Sequence, residues 1–287
     1  MKTPAKPRKV IRKNAAPVVE KPAVEAPAAE TTEASRYSAP ALEKGLDIIE
    51  MLVDQPLGLT LNELAKALGR TVSEIFRMAV ALQQRGYVQV DAADRYTLTL
   101  KLLELAHHQQ PLKSLVATAL PLMRELANRA RQSCHICTHF DGRIIVAAQV
   151  DSPGLWSFGL KLGAVMGLTE TASGHVLLAF RDEAERTRML ASQIKWHGDL
   201  DIDPAQLLRR LEDIRTQGYT IMPSRHTASV TNIAHPVFGV NGQVIASLNV
   251  PYIGRLEKDS PDIPEVRVQA SDVARQLSDL MGYRGFS

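Results

Sequence analysis

Two cysteines in 287 residues are too few for a disulfide framework and point to a reducing compartment. Long apolar runs are missing as well. No stretch reaches the ~18 residues that a membrane-spanning helix needs, and no apolar core of a secretory signal follows the N-terminal lysines. These absences predict a cytoplasmic protein without a membrane partner. Gly-x-Ser-x-Gly, His-Glu-x-x-His, Walker and Gly-x-Gly-x-x-Gly motifs are all lacking. The chain therefore reads as a non-enzyme, with no cofactor expected. Charge of one sign is scarce: 34 Lys and Arg face 31 Asp and Glu, a formal net charge of +3, too small for a general polyanion binder. Aromatic residues are absent before Tyr37, and Pro and Ala punctuate the whole of residues 1–37. That composition predicts a disordered tail. Lys2, Lys6, Arg8, Lys9, Arg12 and Lys13 make its first part basic and suit non-specific, salt-sensitive contact with DNA, although a merely solubilising tail has the same composition.

What is present is organised around Thr60–Gly86. Thr60 with Glu63, and Thr71 with Glu74, are two capping boxes. Leu61, Leu64, Ala65 and Leu68 give the first helix one apolar face, and Val72, Ile75, Ala79 and Leu82 do the same for the second. Gly69 and Gly86 close them. Two short helices joined by a tight turn form a helix-turn-helix. Leu42, Leu46, Ile49 and Val53 supply a third helix upstream. Downstream, Y-V-Q-V and R-Y-T-L-T-L flank a short polar turn and read as a hairpin. Three helices and a hairpin predict a winged helix over residues 38–99, with its second capped helix in the major groove of double-stranded operator DNA. Ser73, Glu74, Arg77, Ala81 and Gln84 lie on the open face of that helix. Arg77 is the candidate for a guanine or a phosphate, Arg70 and Arg95 for phosphates, and Thr71 and Phe76 complete the DNA-facing set. The charge count is neutral on this point: residues 38–110 carry seven Lys and Arg against nine Asp and Glu.

Residues 100–131 read as a connector and first helix of the next domain, with a stop at Pro111 and a break or kink at Pro121. From 132 to 287 strands and helices mix. A hairpin turns at Asp141-Gly142 and another at Asn241-Gly242, the latter a type I′ signal. Helices start near Thr171, near residue 182 and at Asp203-Pro204, and a last one covers about 264–281. This is an α+β domain with helices on an antiparallel sheet.

Cys134, His135, Cys137 and His139 form the most reactive-looking cluster. On a strand His135, Cys137 and His139 share a face and offer three ligands for zinc, and Cys134-x-x-Cys137 is a possible redox pair. The alternatives are half-buried strand residues, or a metal- or thiol-responsive DNA-binding sensor. The two cysteines point to opposite faces, and no second ligand set accompanies them.

The chain from about Tyr37 to Gly282 resembles the IclR family of bacterial transcription regulators. The resemblance rests on A-L-E-K-G-L-D-I-I-E-M-L, on L-N-E-L-A-K-A-L-G-R-T-V-S-E-I-F-R, on A-L-P-L-M-R-E-L-A at 119–127, on T-A-S-G-H-V-L-L-A, on L-E-D-I-R-T-Q-G-Y, and on I-A-H-P-V-F with N-G-Q-V-I-A-S-L, in that order. It implies a winged helix-turn-helix joined by a linker helix to a GAF-like ligand-binding domain. It also implies homodimers, often dimers of dimers, on partly palindromic operators, controlled by a small-molecule effector. The implied effector pocket is lined by Leu155, Phe158, Met166, Ala172, Ser173, Met222, Val230, Asn232, Asn249 and Pro251. This chain departs from relatives that bind small oxoacids: Met222 and Pro251 stand where those offer polar groups, Asn249 where Ser is common, His175 where Lys is usual, and Ser224-Arg225 replace an acidic pair. The apolar lining predicts a small, possibly aromatic, carboxylic acid. His226, His235 and Trp156 are further candidates for contacting it.

Deleting residues 1–36 is expected to leave thermal stability and operator choice unchanged and to lower non-specific DNA affinity, mostly at low salt. A large drop in melting temperature on deletion would contradict this.

Overall fold

A computed structural model describes residues 38–108, 110, 112–198, 202–256 and 260–285. The basic tail and the stop expected at Pro111 lie outside the described residues. The chain forms two compact units that divide between Lys101 and Leu102.

The first unit carries α1 (Pro40–Val53), β1 (Leu59–Thr60), α2 (Leu61–Ala67), α3 (Val72–Gln84), β2 (Val88–Val90) and β3 (Arg95–Leu98). Both capping boxes form. The Thr60 N–H donates to Glu63 Oε2 at 2.8 Å and the Glu63 N–H donates to Thr60 Oγ1 at 3.3 Å. Thr71 donates to Glu74 Oε2 through its N–H and its hydroxyl, each at 2.8 Å. The Thr71 backbone N–H, foremost, holds the Glu74 carboxyl down at about 2. Ile48, Leu52, Leu64, Ile75, Ala79, Val88 and Tyr96 make the core. The stripe expected on α1 is off by one position. Gly45, Ile48 and Leu52 face inward, while Leu42 and Val53 are each 63 % exposed. Helix α1 carries apolar residues on two sides, and its packing, foremost on α3 and also on β3 and α2, decides between them. The wing has three strands in the order β1-β3-β2. The two-residue β1, pairing Leu59 with Tyr96 and Thr60 with Arg95, is too short to leave a periodic signal.

The second unit starts with α4 (Lys101–His108), shared at its first residue, and α5 (Leu112–Ala130). Helix α5 runs through Pro121 without a break. Proline removes one N–H there, but Leu115, Ala119, Met123, Leu126 and Ala130 are buried on both sides of it, and this packing holds the helix together. The sheet comprises β4 (Cys134–Phe140), β5 (Arg143–Val150), β6 (Val165–Gly167), β7 (Thr220–Pro223), β8 (Val230–Phe238) and β9 (Val244–Ile253). It is antiparallel in the order β6-β5-β4-β9-β8-β7. The Asp141-Gly142 turn has positive φ at both residues, as a two-residue I′ hairpin requires. The second hairpin differs from expectation. Only Gly242 is left-handed there, and the Gly242 N–H donates to the Gly239 carbonyl at 2.9 Å, so a four-residue turn replaces the type I′ form. The register shifts nearby, between Val237 and Phe238, and the freed Phe238 N–H donates to the buried Ser278 hydroxyl at 3.0 Å.

Both sheet faces are covered. Ile136, Ile233, Leu248 and Val250 pack with α5 and α9 (Ile263–Leu280). Cys137, Val146 and Ala234 pack with α6 (Ala172–Ala179), with α8 (Pro204–Gln217) against α6 and α7 (Glu183–His197) against β5. All eight residues of α6 are buried. Such a helix needs close approach on several sides, and Gly174 provides it: a Cβ there would overlap the carbonyl oxygen of Leu168 and lie 2.5 Å from its Cα. Among the described residues, no helix is long and apolar enough to cross a membrane.

Gly174→Ala is expected to destabilise the second unit by about 1–3 kcal/mol, read as a lower denaturant midpoint at unchanged slope. An unchanged midpoint would contradict the tight approach of α6 to Leu168.

Candidate functional sites

The candidate DNA-contact residues divide into two groups. Ser73, Phe76, Arg77 and Gln84 stand exposed on α3, with Phe76 50 % exposed. The other four are engaged within the unit. Thr71 and Glu74 cap α3, and Lys44 Nζ lies 3.4 Å from Glu74 Oε1. Arg70 donates to Asp47 Oδ2 of α1 at 2.9 Å. Arg95 donates to the Leu57 carbonyl at 2.9 Å and to the Gly58 carbonyl at 2.7 Å, with Glu63 Oε2 at 3.5 Å. Its guanidinium thus fastens the wing to the segment before β1. A single sequence marks Arg70 and Arg95 as cations beside the recognition helix but not the partners that occupy them.

In the second unit a cavity of about 100 Å³ opens between the sheet and the start of α6. Phe158, Met166, Ala172, Ser173, Val230, Asn232, Asn249 and Pro251 line it, together with His135, Ile144, Leu160, Glu170, Thr171, Ser224, Arg225, His226 and Thr227. Two expected lining residues stand elsewhere. Leu155 is 97 % exposed on the 151–164 segment. Met222 lies on a separate groove of about 560 Å³ between α8 and β7, which His175, Arg210, Asp213 and Arg225 also line. Strand register explains what the sequence missed: His135 pairs with Asn249 and Ile144 with Met166, and such cross-strand neighbours are invisible along one chain. His226 is on the cavity wall, with Nε2 3.8 Å from Glu170 Oε1. His235 points to the other sheet face and stacks on Tyr219 at 5.5 Å. Trp156 is 80 % exposed.

The helix start at the cavity is rigidly braced. Thr171 Oγ1 donates to the Gly167 carbonyl at 2.8 Å and accepts from the Gly174 N–H at 3.1 Å. Gln193 of α7 accepts from the N–H groups of Leu168 and Thr169 at 2.8 and 3.3 Å and donates to Thr169 Oγ1 at 2.8 Å. His175 meets the Thr169 carbonyl through Nε2 at 2.9 Å, and burial, foremost, lowers its pKa. The 151–164 segment is tied at its base, where the Ser152 N–H donates to Ser133 Oγ at 3.0 Å and Arg255 donates to Ser152 Oγ at 3.0 Å.

Polar side chains occupy the inner end of the cavity. Asn249 Nδ2 lies 3.0 Å from Asn232 Oδ1 and 3.2 Å from His135 Nε2. His135 and Asn249 are 3 % and 2 % exposed. Burial pushes the His135 pKa down to about 4, so the ring is neutral at pH 7. Burial pushes both cysteine thiols up to about 12, which leaves them protonated and poorly nucleophilic. Cys134 packs under α5 and Cys137 under α6, on opposite faces. His139 Nε2 accepts from the Gly142 N–H at 3.1 Å. Among the described residues, no three His, Cys, Asp or Glu side chains gather as a metal-binding group.

Comparison with known proteins agrees with both units. Residues 110–279 match the bacterial transcriptional regulator IclR C-terminal family, and residues 41–92 match the IclR helix-turn-helix domain. The HTH-type transcriptional regulator KdgR of Dickeya chrysanthemi is 29 % identical over 259 residues, covering 87 % of this chain and 82 % of that protein. The crystal structure of HmgR from Pseudomonas aeruginosa superposes with a TM-score of 0.66 at 25 % identity, over 85 % of this chain and 100 % of that one. An IclR homologue from Microbacterium hydrocarbonoxydans, complexed with 4-hydroxybenzoate, superposes with a TM-score of 0.70 at 19 % identity, over 84 % of this chain and 98 % of that one. Its likeness is one of fold. With a helix-turn-helix unit followed by an effector-binding unit, both matched in sequence, the chain belongs to the IclR family of bacterial transcriptional regulators.

Proposed function

We propose that the protein is a homodimeric, sequence-specific operator-binding regulator whose effector is a small carboxylic acid carrying a ring. One observation carries the effector reading: a cavity with apolar walls ends on the first turn of a helix. Phe158, Leu160, Met166, Ile144, Val230 and Pro251 supply the apolar walls. At the other side Ala172 and Ser173 open α6. The first N–H groups of a helix have no partner within it and favour an anion. The cavity's volume of about 100 Å³ restricts the effector to a small molecule, since a cavity of roughly 150 Å³ already accommodates a whole benzene ring. An IclR homologue of like fold, from Microbacterium hydrocarbonoxydans, is complexed with 4-hydroxybenzoate, a carboxylic acid carrying a ring. Binding regulates only when the effector prefers one arrangement of the dimer over another.

On the DNA side, Arg77, with Ser73 and Gln84, is the reading group, because these side chains are exposed on the capped helix while Arg70 and Arg95 are held by their own unit. No catalytic role is assigned. Gel-shift titration on the chain's own promoter tests this reading. Arg77→Ala is expected to weaken specific binding by about 1–3 kcal/mol while leaving non-specific binding nearly intact. Equal affinity of variant and parent for the operator would remove Arg77 from the reading site.

A further inference from the structure

Buried polar atoms without partners are rare in folded proteins, and two of them belong to one pair of cross-strand neighbours on the cavity wall. His135 Nδ1 and Asn249 Oδ1 have no hydrogen-bond partner. The two residues face each other across β4 and β9, and both line the cavity. Their roles follow from the bonds they already make. Asn249 Nδ2 donates one proton to Asn232 Oδ1 and the other to His135 Nε2. That nitrogen of the neutral ring is therefore the acceptor, and the ring proton sits on Nδ1. What remains is one unmet donor, His135 Nδ1–H, and one unmet acceptor, Asn249 Oδ1. Turning both amides over exchanges the roles: Asn249 Nδ2 then holds the unmet N–H donors and His135 Nδ1 the unmet acceptor, so each atom still lacks a partner of the opposite kind.

We propose that this pair reads a hydroxyl group, so that the effector is a monocarboxylic hydroxy acid held with its carboxylate at the start of α6 and its hydroxyl at His135 and Asn249. The inference rests on the reading of this cavity as the effector site and adds what its inner end selects. A hydroxyl is a donor and an acceptor at once, and it satisfies both atoms. A hydrogen or methyl in its place leaves them unmet, and a site built for a hydroxyl rejects the analogue lacking one. A second carboxylate fits worse still. Of the charged or amide groups around the inner end, none is a cation: His135 is neutral, and Asn232 and Asn249 are uncharged. Arg225 and His226 stand with Glu170 on the loop side of the cavity. The pair thus selects against both unsubstituted acids and dicarboxylic acids.

The test is isothermal calorimetry of the full-length protein with benzoate, the three monohydroxybenzoates, terephthalate and isophthalate, and with butyrate against 3-hydroxybutyrate. At least one monohydroxybenzoate is expected to bind about tenfold or more tighter than benzoate, with both dicarboxylates weaker than that isomer. Asn249→Leu, which removes the unmet acceptor and the bond to His135, is expected to bring the hydroxybenzoate-to-benzoate ratio close to one. The ratio in the unsubstituted protein stands even where that variant does not fold. Benzoate or a dicarboxylate matching every hydroxy acid overturns the proposal, and so does a ratio unchanged in a folded Asn249→Leu variant. Discrimination between 3-hydroxybutyrate and butyrate without binding of any aromatic acid overturns the ring assignment and supports the hydroxyl reading. Binding of none of these acids overturns both.

Discussion

The contact of Gly174 with the backbone of Leu168 is the constraint on which the second unit depends. It lets α6 lie flat against the sheet with all eight residues buried, and a helix so enclosed cannot shift without disturbing every neighbour. Thr171 caps it, and Gln193 fixes the turn that leads into it. Ala172 and Ser173, the first residues of α6, therefore line the cavity from a helix start held on several sides. Preorganised donors of this kind favour an anion because their orientation cost is met during folding.

The sheet beneath α6 departs from an ordinary apolar interior. His135, Asn249 and Ser247 are nearly or wholly buried at its centre, where burial of polar groups costs free energy unless hydrogen bonds replace water. The Asn232–Asn249–His135 chain supplies some of those bonds and leaves others open. Burial lowers the pKa of His135 and His235 to about 4 and of His175 and His139 below the ordinary value. Neutral imidazole rather than imidazolium is the form that the fold accommodates. The buried thiols add no charge either, so the inner wall offers hydrogen-bonding groups without charge.

Local signals were legible along the chain. Thr60 with Glu63 and Thr71 with Glu74 specify their capping boxes within four residues, and Asp141-Gly142 specifies its turn, because the groups that interact are close in sequence. The order of elements fixed the winged helix and the α+β class. What resisted were choices settled between distant segments. Helix α1 has two apolar stripes, and its packing on α3 picks Ile48 and Leu52 over Leu42 and Leu46. Met222 and Leu155 are apolar and near the right elements, yet β7's place at the sheet edge carries the first to a neighbouring groove, and the second projects outward. His135 became part of the cavity only through its register with Asn249. Asn241-Gly242 shows the opposite failure: a strong local turn signal gave way to a register shift at Val237/Phe238, accommodated by Ser278 of the last helix.

Backbone amide hydrogen exchange at Ala172 and Ser173, followed by NMR with and without a saturating ring-bearing hydroxy acid such as 4-hydroxybenzoate, tests the central claim most directly. The amides of Val176 to Leu178 sit within a buried helix and should be protected in both states. Those of Ala172 and Ser173 should exchange faster in the free protein and slow by about tenfold or more when a carboxylate accepts from them, as expected for amides that gain a hydrogen bond. Equal exchange at Ala172 and Ser173 in the two states, with the acid bound, would contradict the account.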